Sequence, residues 1–597
     1  MKRFLMGNEA IALGAVHAGV HVACGYPGTP STEILETVAR ENDGGIYVEW
    51  SVNEKAALEV AAGASYAGAR TLVTMKQVGL NVAADPLMSL AYVGVKGGMV
   101  IVVADDPGPI SSQTEQDTRH FARFSKLPVF DPSSPEEAYE MVKDAFDLSE
   151  KYETPVLLRP TTRVCHGCVS MELDKPLPRR PVGGFIKDPK WVIFPALSYR
   201  NHLRIEERNP KLGDEFSAYR FNSISNKRTA GKKGIAAGGI SWAYVREALG
   251  DAEVKLFRVA TPHPFPEKLA LEFLDGLDEV MVLEELDPVI ERELVYLCGK
   301  HHLNVTIRGK LTGDVQKAGE NSVESVKAVL HKYLGLPAPK TPPELPDLPV
   351  RPPVLCAGCP HRGAFYAVKQ AMKDRKAVFA GDIGCYTLGN AQPLDMVDTC
   401  LCMGADVTIA QGLAHVQPGV KHFAFIGDST FFASGLTGVV NAVYNGSDIT
   451  LVVLDNSTTA MTGQQEHPGT GKTLMGKPAP KLSIPGILKA LGVGEVVTAN
   501  PFDLEKAVAA VQKAADSPGV SAVVFESPCI AVRKPDPVLI VDENTCVGCK
   551  KCIRELGCPA ISSDGKKAQI EPSLCYGCDL CAQVCPVKAI GKGAENA

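Results

Sequence analysis

No apolar run in the sequence reaches the roughly 18 residues that a membrane-spanning helix needs, which excludes a helical membrane span. An excess of one charge sign is missing too: 62 Lys and Arg against 68 Asp and Glu leave a net charge of -6, without the basic field that a nucleic-acid partner requires. Nor is a cleavable signal peptide expected. The opening MKRFLMGNEAIALGAV starts basic, but Asn8 and Glu9 interrupt its apolar segment and no cleavage site follows, so it reads as an amphipathic helix of a cytoplasmic protein. The remaining composition, 45% hydrophobic and 22% charged, is that of an ordinary globular protein of 597 residues, enough for roughly four domains of about 150 residues each.

Cysteine is abundant where the rest is ordinary. There are 18, and eight of them lie between Cys546 and Cys585. A secreted disulfide scaffold would be shorter and would carry a signal peptide, whereas a reducing cytosol turns clustered thiols toward metal. The stretches CVGCKKCIRELGCP (from Cys546) and CYGCDLCAQVCP (from Cys575) each begin CxxCxxC, a spacing that lets three thiolates converge on one cuboidal iron-sulfur cluster. Zinc is the alternative, but its sites pair two CxxC units and have no use for a third cysteine in each run. The tail resembles bacterial two-cluster ferredoxins, in which the cysteine before a proline ligates the other cluster. That resemblance implies one [4Fe-4S] cluster on Cys546, Cys549, Cys552 and Cys585, and another on Cys575, Cys578, Cys581 and Cys558. Five residues rather than three separate Cys552 from Cys558, which leaves the three local ligands of the first run in register.

Upstream, short apolar runs alternate with helical stretches, predicting an α/β fold of several doubly wound parallel-sheet domains. Residues 1–169 carry RTLVTMK, GMVIVVADD and TPVLLRP; residues 170–230 look irregular; residues 231–335 form a second, transketolase-C-like unit with KGIAAGGI, VKLFRVA and DEVMVLEE. Eight prolines among the 17 residues from Pro337 to Pro353 predict a stiff linker over 336–353. Residues 354–535 repeat the α/β rhythm with KAVFAGDIG, KHFAFIGD, DITLVVLDN and SAVVFESP, and 536–597 form a small ferredoxin-like α+β module that depends on its clusters as staples.

In the third unit a strand ends at Gly427-Asp428 and a second ends at Asp455-Asn456, 28 positions after Asp428. A strand-helix-strand crossover of that length brings both to one edge of a parallel sheet, where two oxygen donors can hold Mg2+ against a diphosphate. The segment resembles the thiamine diphosphate motif, usually GDG followed by NN or DN, with Ser429 at the third position; the resemblance implies Thr458 as a carbonyl ligand of Mg2+. Thiamine enzymes also need a Glu against the aminopyrimidine. Glu54 follows a strand and opens a helix; alone it would be a helix-start carboxylate, and beside the Asp428 motif it takes the position of that Glu.

With both halves placed, the chain resembles the 2-oxoacid:ferredoxin oxidoreductases, in particular the large subunits of the indolepyruvate type. The resemblance rests on GNEAIALGAVHAGV, GYPGTPSTEI, VNEKAALEVAAGAS, LCAGCPHRGAFYA, GDIGCYTLG, CMGADVTIAQGLAH, GDSTFF, LDNSTTAMTGQQ and the lengthened first cysteine motif, nearly the whole chain. It implies oxidative decarboxylation of arylpyruvates such as indolepyruvate and phenylpyruvate on thiamine diphosphate and Mg2+; the alternatives are the same chemistry on pyruvate, 2-oxoglutarate or a branched-chain 2-oxoacid, or a thiamine-dependent non-oxidative decarboxylase, which would have no need of the cysteine tail. Single electrons would pass through iron-sulfur clusters to ferredoxin, and the acyl group to coenzyme A, with a smaller (beta) subunit supplying the domain that contacts it. Thr29 is expected to cap a helix that starts at Pro30 and, by the resemblance, to face the substrate. The family pattern further implies a third [4Fe-4S] cluster on Cys356, Cys359, Cys385 and Cys529; the alternative is four thiols in tight Gly/Pro turns. His361 is either structural or near the diphosphate. Cys24, Cys165, Cys168, Cys298, Cys400 and Cys402 lack metal spacing and read as structural.

Overall fold

The computed structural model describes residues 2–227, 231–250, 252–338 and 346–592. The chain divides into two compact units, Met1–Leu345 and Pro346–Ala597.

The first unit holds two large sheets and a two-stranded pair. Strands Tyr47–Trp50, Val22–Gly25, Thr71–Lys76, Met99–Ala104, Val156–Leu158 and Val129–Phe130 lie side by side in that order, all parallel. The run MVIVVA of Met99–Ala104 is buried at every position, as a strand must be when helices cover both faces of its sheet. The second sheet runs Thr306–Arg308, Glu279–Leu283, Lys233–Gly238, Lys255–Val259 and Ser223–Ser225, parallel except for the last strand.

Three expectations change here. The opening residues are a strand, Lys2–Met6, paired with Cys168–Glu172, and then a helix, Gly7–His17. That helix is buried at Gly7, Asn8, Ala10–Ala15 and His17, so it is a core helix and not an amphipathic one. Residues 170–230, read as irregular, contain the 23-residue helix Pro195–Ser217 and the antiparallel edge strand of the second sheet. The helix buries Leu197, Asn201 and Ile205 at a spacing of four, then Leu212 and Phe216, with an exposed Pro210 inside the helix between them. Pro210 and a polar composition hid a 3.6-residue period that the buried face nonetheless keeps. Finally, Thr29 caps no helix: the peptide before Pro30 is cis, Ser31 N closes a tight turn onto Gly28 O at 2.8 Å, and the helix begins at Thr32.

The second unit has one six-stranded parallel sheet, ordered Thr399–Cys400, Ala377–Gly381, Lys421–Gly427, Ile449–Asp455, Val520–Glu526 and Glu495–Ala499. The tail adds two antiparallel pairs, Leu539–Val541 with Ile590–Lys592 and Ile561–Ser563 with Ala568–Ile570, and short helices Lys551–Leu556 and Leu580–Val584. It does not keep a core of its own. Leu539, Leu556, Leu580 and Ile590 join Phe365, Val368, Phe423 and Phe525 in one buried cluster, so the module is anchored on the sheet domain as well as by its cysteines. Of the proline-rich linker, residues 339–345 lie outside the described residues.

Candidate active site

In the first unit the strands Val22–Gly25 and Thr71–Lys76 are neighbours whose connections leave in opposite directions, toward Tyr47–Trp50 and toward Met99–Ala104. Their carboxyl ends therefore flank a topological switch point, where open α/β sheets leave a crevice. Gly28-Thr29 follows the first of these strands and Lys76 ends the second. Glu54 opens the helix Glu54–Tyr66, whose Asn53 cap accepts from Ala56 N at 2.9 Å. The Glu54 residue keeps some open surface, but its carboxyl group is packed inward against Gly79: a Cβ there would stand 2.4 Å from Oε1. Burial pushes the Glu54 carboxyl up to about 7, with Lys76 pulling the other way.

In the second unit Asp428 follows strand Lys421–Gly427 and Asn456 follows strand Ile449–Asp455, parallel neighbours in which Gly427 pairs with Leu454. Asp428 is buried; its Oδ1 accepts from Ser429 N at 2.8 Å, and Oδ2 stands 3.1 Å from His467 Nε2 without forming a hydrogen bond. Asp455 faces it, and burial followed by that carboxylate pushes Asp455 up to about 6. Ser457, at φ 60°, turns the chain so that Thr458 N donates to Asn456 Oδ1 at 3.3 Å. His361 is buried with neither ring nitrogen partnered, faces Asp428, and is pushed down to about 4 by burial. Two crowded carboxylates and an imidazole lacking partners fit a bound cation and a diphosphate, which would supply the missing positive charge and acceptors. Gly427 lacks a Cβ for a local reason. Tyr386 Cε1 would lie 2.5 Å from it, and that phenol donates to Asp382 Oδ2 at 2.6 Å.

The cysteines fall into groups that the numbering alone does not reveal. Cys585 adds to burial in holding the Cys552 thiol up, and Cys558 does so for Cys578 and Cys581, which places each proline-flanked cysteine against the other run. Near the sheet edge, burial and then Cys529 and Cys356 push Cys385 up to about 11. Cys356 and Asp428 act on Cys529, and Cys359 is pushed up to about 12, mainly by burial. Among the described residues, the set of His, Cys, Asp and Glu ligand atoms within 4.8 Å of one another is Asp117, His120 and Asp287, with no cysteine in it. Cys529 N donates to Asn456 O at 2.9 Å, tying the Cys529 loop to the Asn456 turn. Gly358, at φ 70°, sits against Tyr576, whose Cβ would be 2.4 Å from an added Cβ; the loop Cys356–Cys359 thus lies directly on the second tail motif. Arg362 ties the same loop to the first tail motif, donating to Leu355 O and to Leu556 O.

Sequence reasoning missed several of these groups. Lys76, Gly79 and His467 carried no motif signal, and Asp455 was named only as the end of its strand, with no role of its own. Of the cysteines read as structural, Cys24, Cys165 and Cys298 are buried, while Cys168, Cys400 and Cys402 are exposed. Among the described residues no helix is long and apolar enough to cross a membrane.

Known proteins carry the same parts in the same order. Residues 13–176 match the family described as pyruvate flavodoxin/ferredoxin oxidoreductase, thiamine diphosphate-binding; residues 382–525 match the C-terminal TPP-binding domain of thiamine pyrophosphate enzymes; residues 538–590 match the 4Fe-4S dicluster domain. Indolepyruvate oxidoreductase subunit IorA of Pyrococcus horikoshii is 41% identical, over 100% of this chain and 97% of its own length. The protein of that name from Methanothermobacter thermautotrophicus is also 41% identical, over 99% and 98%. Ketoisovalerate oxidoreductase subunit VorB of Methanothermobacter marburgensis is 26% identical over 46% of this chain and 83% of its own. The thiamine-type edges, the paired cysteine runs and this end-to-end similarity together make the chain a member of the indolepyruvate oxidoreductase subunit IorA family, thiamine diphosphate- and iron-sulfur-dependent 2-oxoacid:ferredoxin oxidoreductases.

Proposed function

We propose that the chain is the large subunit of a cytoplasmic enzyme that oxidatively decarboxylates arylpyruvates, with indolepyruvate and phenylpyruvate as substrates, to CO2 and the aryl-acyl thioester of coenzyme A. A smaller subunit contributes the domain that contacts coenzyme A, and ferredoxin takes the electrons. The relatives named for indolepyruvate support the substrate class. Each turnover balances as 2-oxoacid anion plus thiol giving thioester, CO2, one proton and two electrons.

When bound, thiamine diphosphate supplies the nucleophilic carbon and the electron sink. The chain's own residues hold it and move protons and charge around it. Asp428, Asn456 and the Thr458 carbonyl take Mg2+, with Gly427 and Ser429 beside the diphosphate; the crowding of Asp428 against Asp455 supports a cation there. Glu54 keeps its carboxyl proton to about pH 7 and donates it to the aminopyrimidine nitrogen. Thr29, on the tight turn after its strand, faces the substrate.

Cys356, Cys359, Cys385 and Cys529 would hold one [4Fe-4S] cluster, Cys575, Cys578, Cys581 and Cys558 a second, and Cys546, Cys549, Cys552 and Cys585 a third, which together would supply a one-electron path outward. One observation carries this reading: the Cys356–Cys359 loop packs on Tyr576 of the tail while Cys529 lies beside Asp428, so the cysteine groups form a chain leading away from the diphosphate edge. The experiment is anaerobic viologen reduction by the chain with its smaller subunit and coenzyme A. The expected order is indolepyruvate and phenylpyruvate well above pyruvate; preference for pyruvate would overturn the substrate assignment.

A further inference from the structure

We propose that the Lys76 ammonium receives the carboxylate of the 2-oxoacid, an inference that rests on the thiamine reading of this site. Lys76 ends the strand Thr71–Lys76 on one side of the switch-point crevice, and Gly28 stands on the other. The lysine stem lies across Gly28, where an added Cβ would meet Lys76 Cδ at 3.0 Å and Cγ at 3.2 Å, so the absence of a side chain at 28 is what lets the stem pass. Its Nζ donates to Ser111 O at 3.2 Å, and among the described residues no carboxylate forms an ion pair with it. Asp106 is the largest source of favourable charge, yet its oxygens are already engaged, Oδ1 by Thr162 Oγ1 at 2.6 Å and Oδ2 by Ser111 N at 2.8 Å. Glu54, the other acidic neighbour, is held in its protonated form to about pH 7.

An ammonium has three donors, and a neutral carbonyl uses one of them. A half-buried cation so poorly paired is completed best by an anion, and burial does push Lys76 below the ordinary lysine range. The substrate class brings an anion of the right kind: a carboxylate one bond from the carbon that reacts. Holding it beside Glu54 and the Thr29 turn would orient the keto carbon, and the departure of CO2 would release the charge pair at the moment of bond cleavage.

The test uses a substrate pair that differs only in the carboxylate. An arylacetaldehyde plus thiol gives the same thioester with two protons and two electrons passed to viologen and no CO2, so it needs the thiamine site but not a carboxylate clamp. In the holoenzyme, Lys76→Met is expected to lower kcat/KM for indolepyruvate about 10- to 100-fold, the loss of one charge-assisted hydrogen bond. Turnover of indoleacetaldehyde should change less than about threefold, and thiamine diphosphate affinity, read from quenching of protein fluorescence, less than about twofold, both small against that loss. Equal losses on acid and aldehyde, or weakened cofactor binding, would overturn the assignment and make Lys76 a positioning group for Glu54. A wild-type chain that does not bind thiamine diphosphate at all would instead overturn the reading beneath it.

Discussion

Glu54 and Gly79 work as one unit. The carboxyl group occupies the space a Cβ at 79 would need, with Oε1 at 2.4 Å and Cγ at 2.8 Å from it. Gly79→Ala is therefore expected to displace Glu54 and cost about 100-fold in kcat/KM, as misplacements near 1 Å do. Thermal stability should hold or rise slightly, because alanine favours the helix Gln77–Val82 by about 0.5–1 kcal/mol over glycine. A melting curve beside a steady-state assay separates the two effects. The sign of the pH dependence follows from burial. Glu54 sits above its ordinary value of 4.5, near 7, so its proton-bearing form prevails below that pH and is lost as pH rises through it. Thiamine diphosphate affinity, titrated from pH 6 to 9, should weaken above about 7 in the wild type, while Glu54→Gln, which keeps a donor at every pH, should give a flat profile. As a candidate, Glu54 was readable only in partnership: a Glu opening a helix is common, and the Asp428-Asn456 pair is what singles it out. Lys76 was not legible, since its role depends on a glycine 48 positions earlier in the chain and on a neighbouring strand.

At the level of elements, strand ends were the readable part. Short apolar runs bounded by Gly, Asp and Asn placed the ten quoted strands, because a strand buried on both faces leaves no choice but apolar residues along it and turn residues at its ends. The helix Pro195–Ser217 was unreadable for the opposite reason: one narrow face is buried, and Pro210 interrupts the pattern that would reveal it. The lengthened loop before Cys558 lies between these cases. Its extra residues complete the helix Lys551–Leu556 and the left-handed Gly557, which packs on Pro393 of the sheet domain and turns Cys558 toward Cys578 and Cys581. Cys558→Ser should accordingly perturb the cluster on Cys575, Cys578 and Cys581, seen as a changed or lost electron paramagnetic resonance signal, and spare the one on Cys546, Cys549 and Cys552. Two unaltered tail signals would remove Cys558 from the ligand set.

For the whole molecule, the second unit joins the Asp428 edge and the cysteine tail in one packed body. The tail shares its core with the sheet domain, Arg362 binds the backbone of both, and the cysteine groups run from the Asp428 edge outward. The sequence suggested a separate small module held by its clusters; the shared core depended on apolar residues scattered between the cysteine runs, which no spacing rule singles out. Anaerobic analysis of the holo-subunit should give about twelve irons and about twelve sulfides per chain, four of each per cubane cluster, and about eight would remove the cluster beside Asp428. The most direct test of the central claim omits any external acceptor. When indolepyruvate and coenzyme A are added anaerobically to the chain with its smaller subunit, the account predicts release of CO2 with bleaching of the visible cluster absorbance and no free aldehyde. CO2 and aldehyde released with the absorbance unchanged would contradict it.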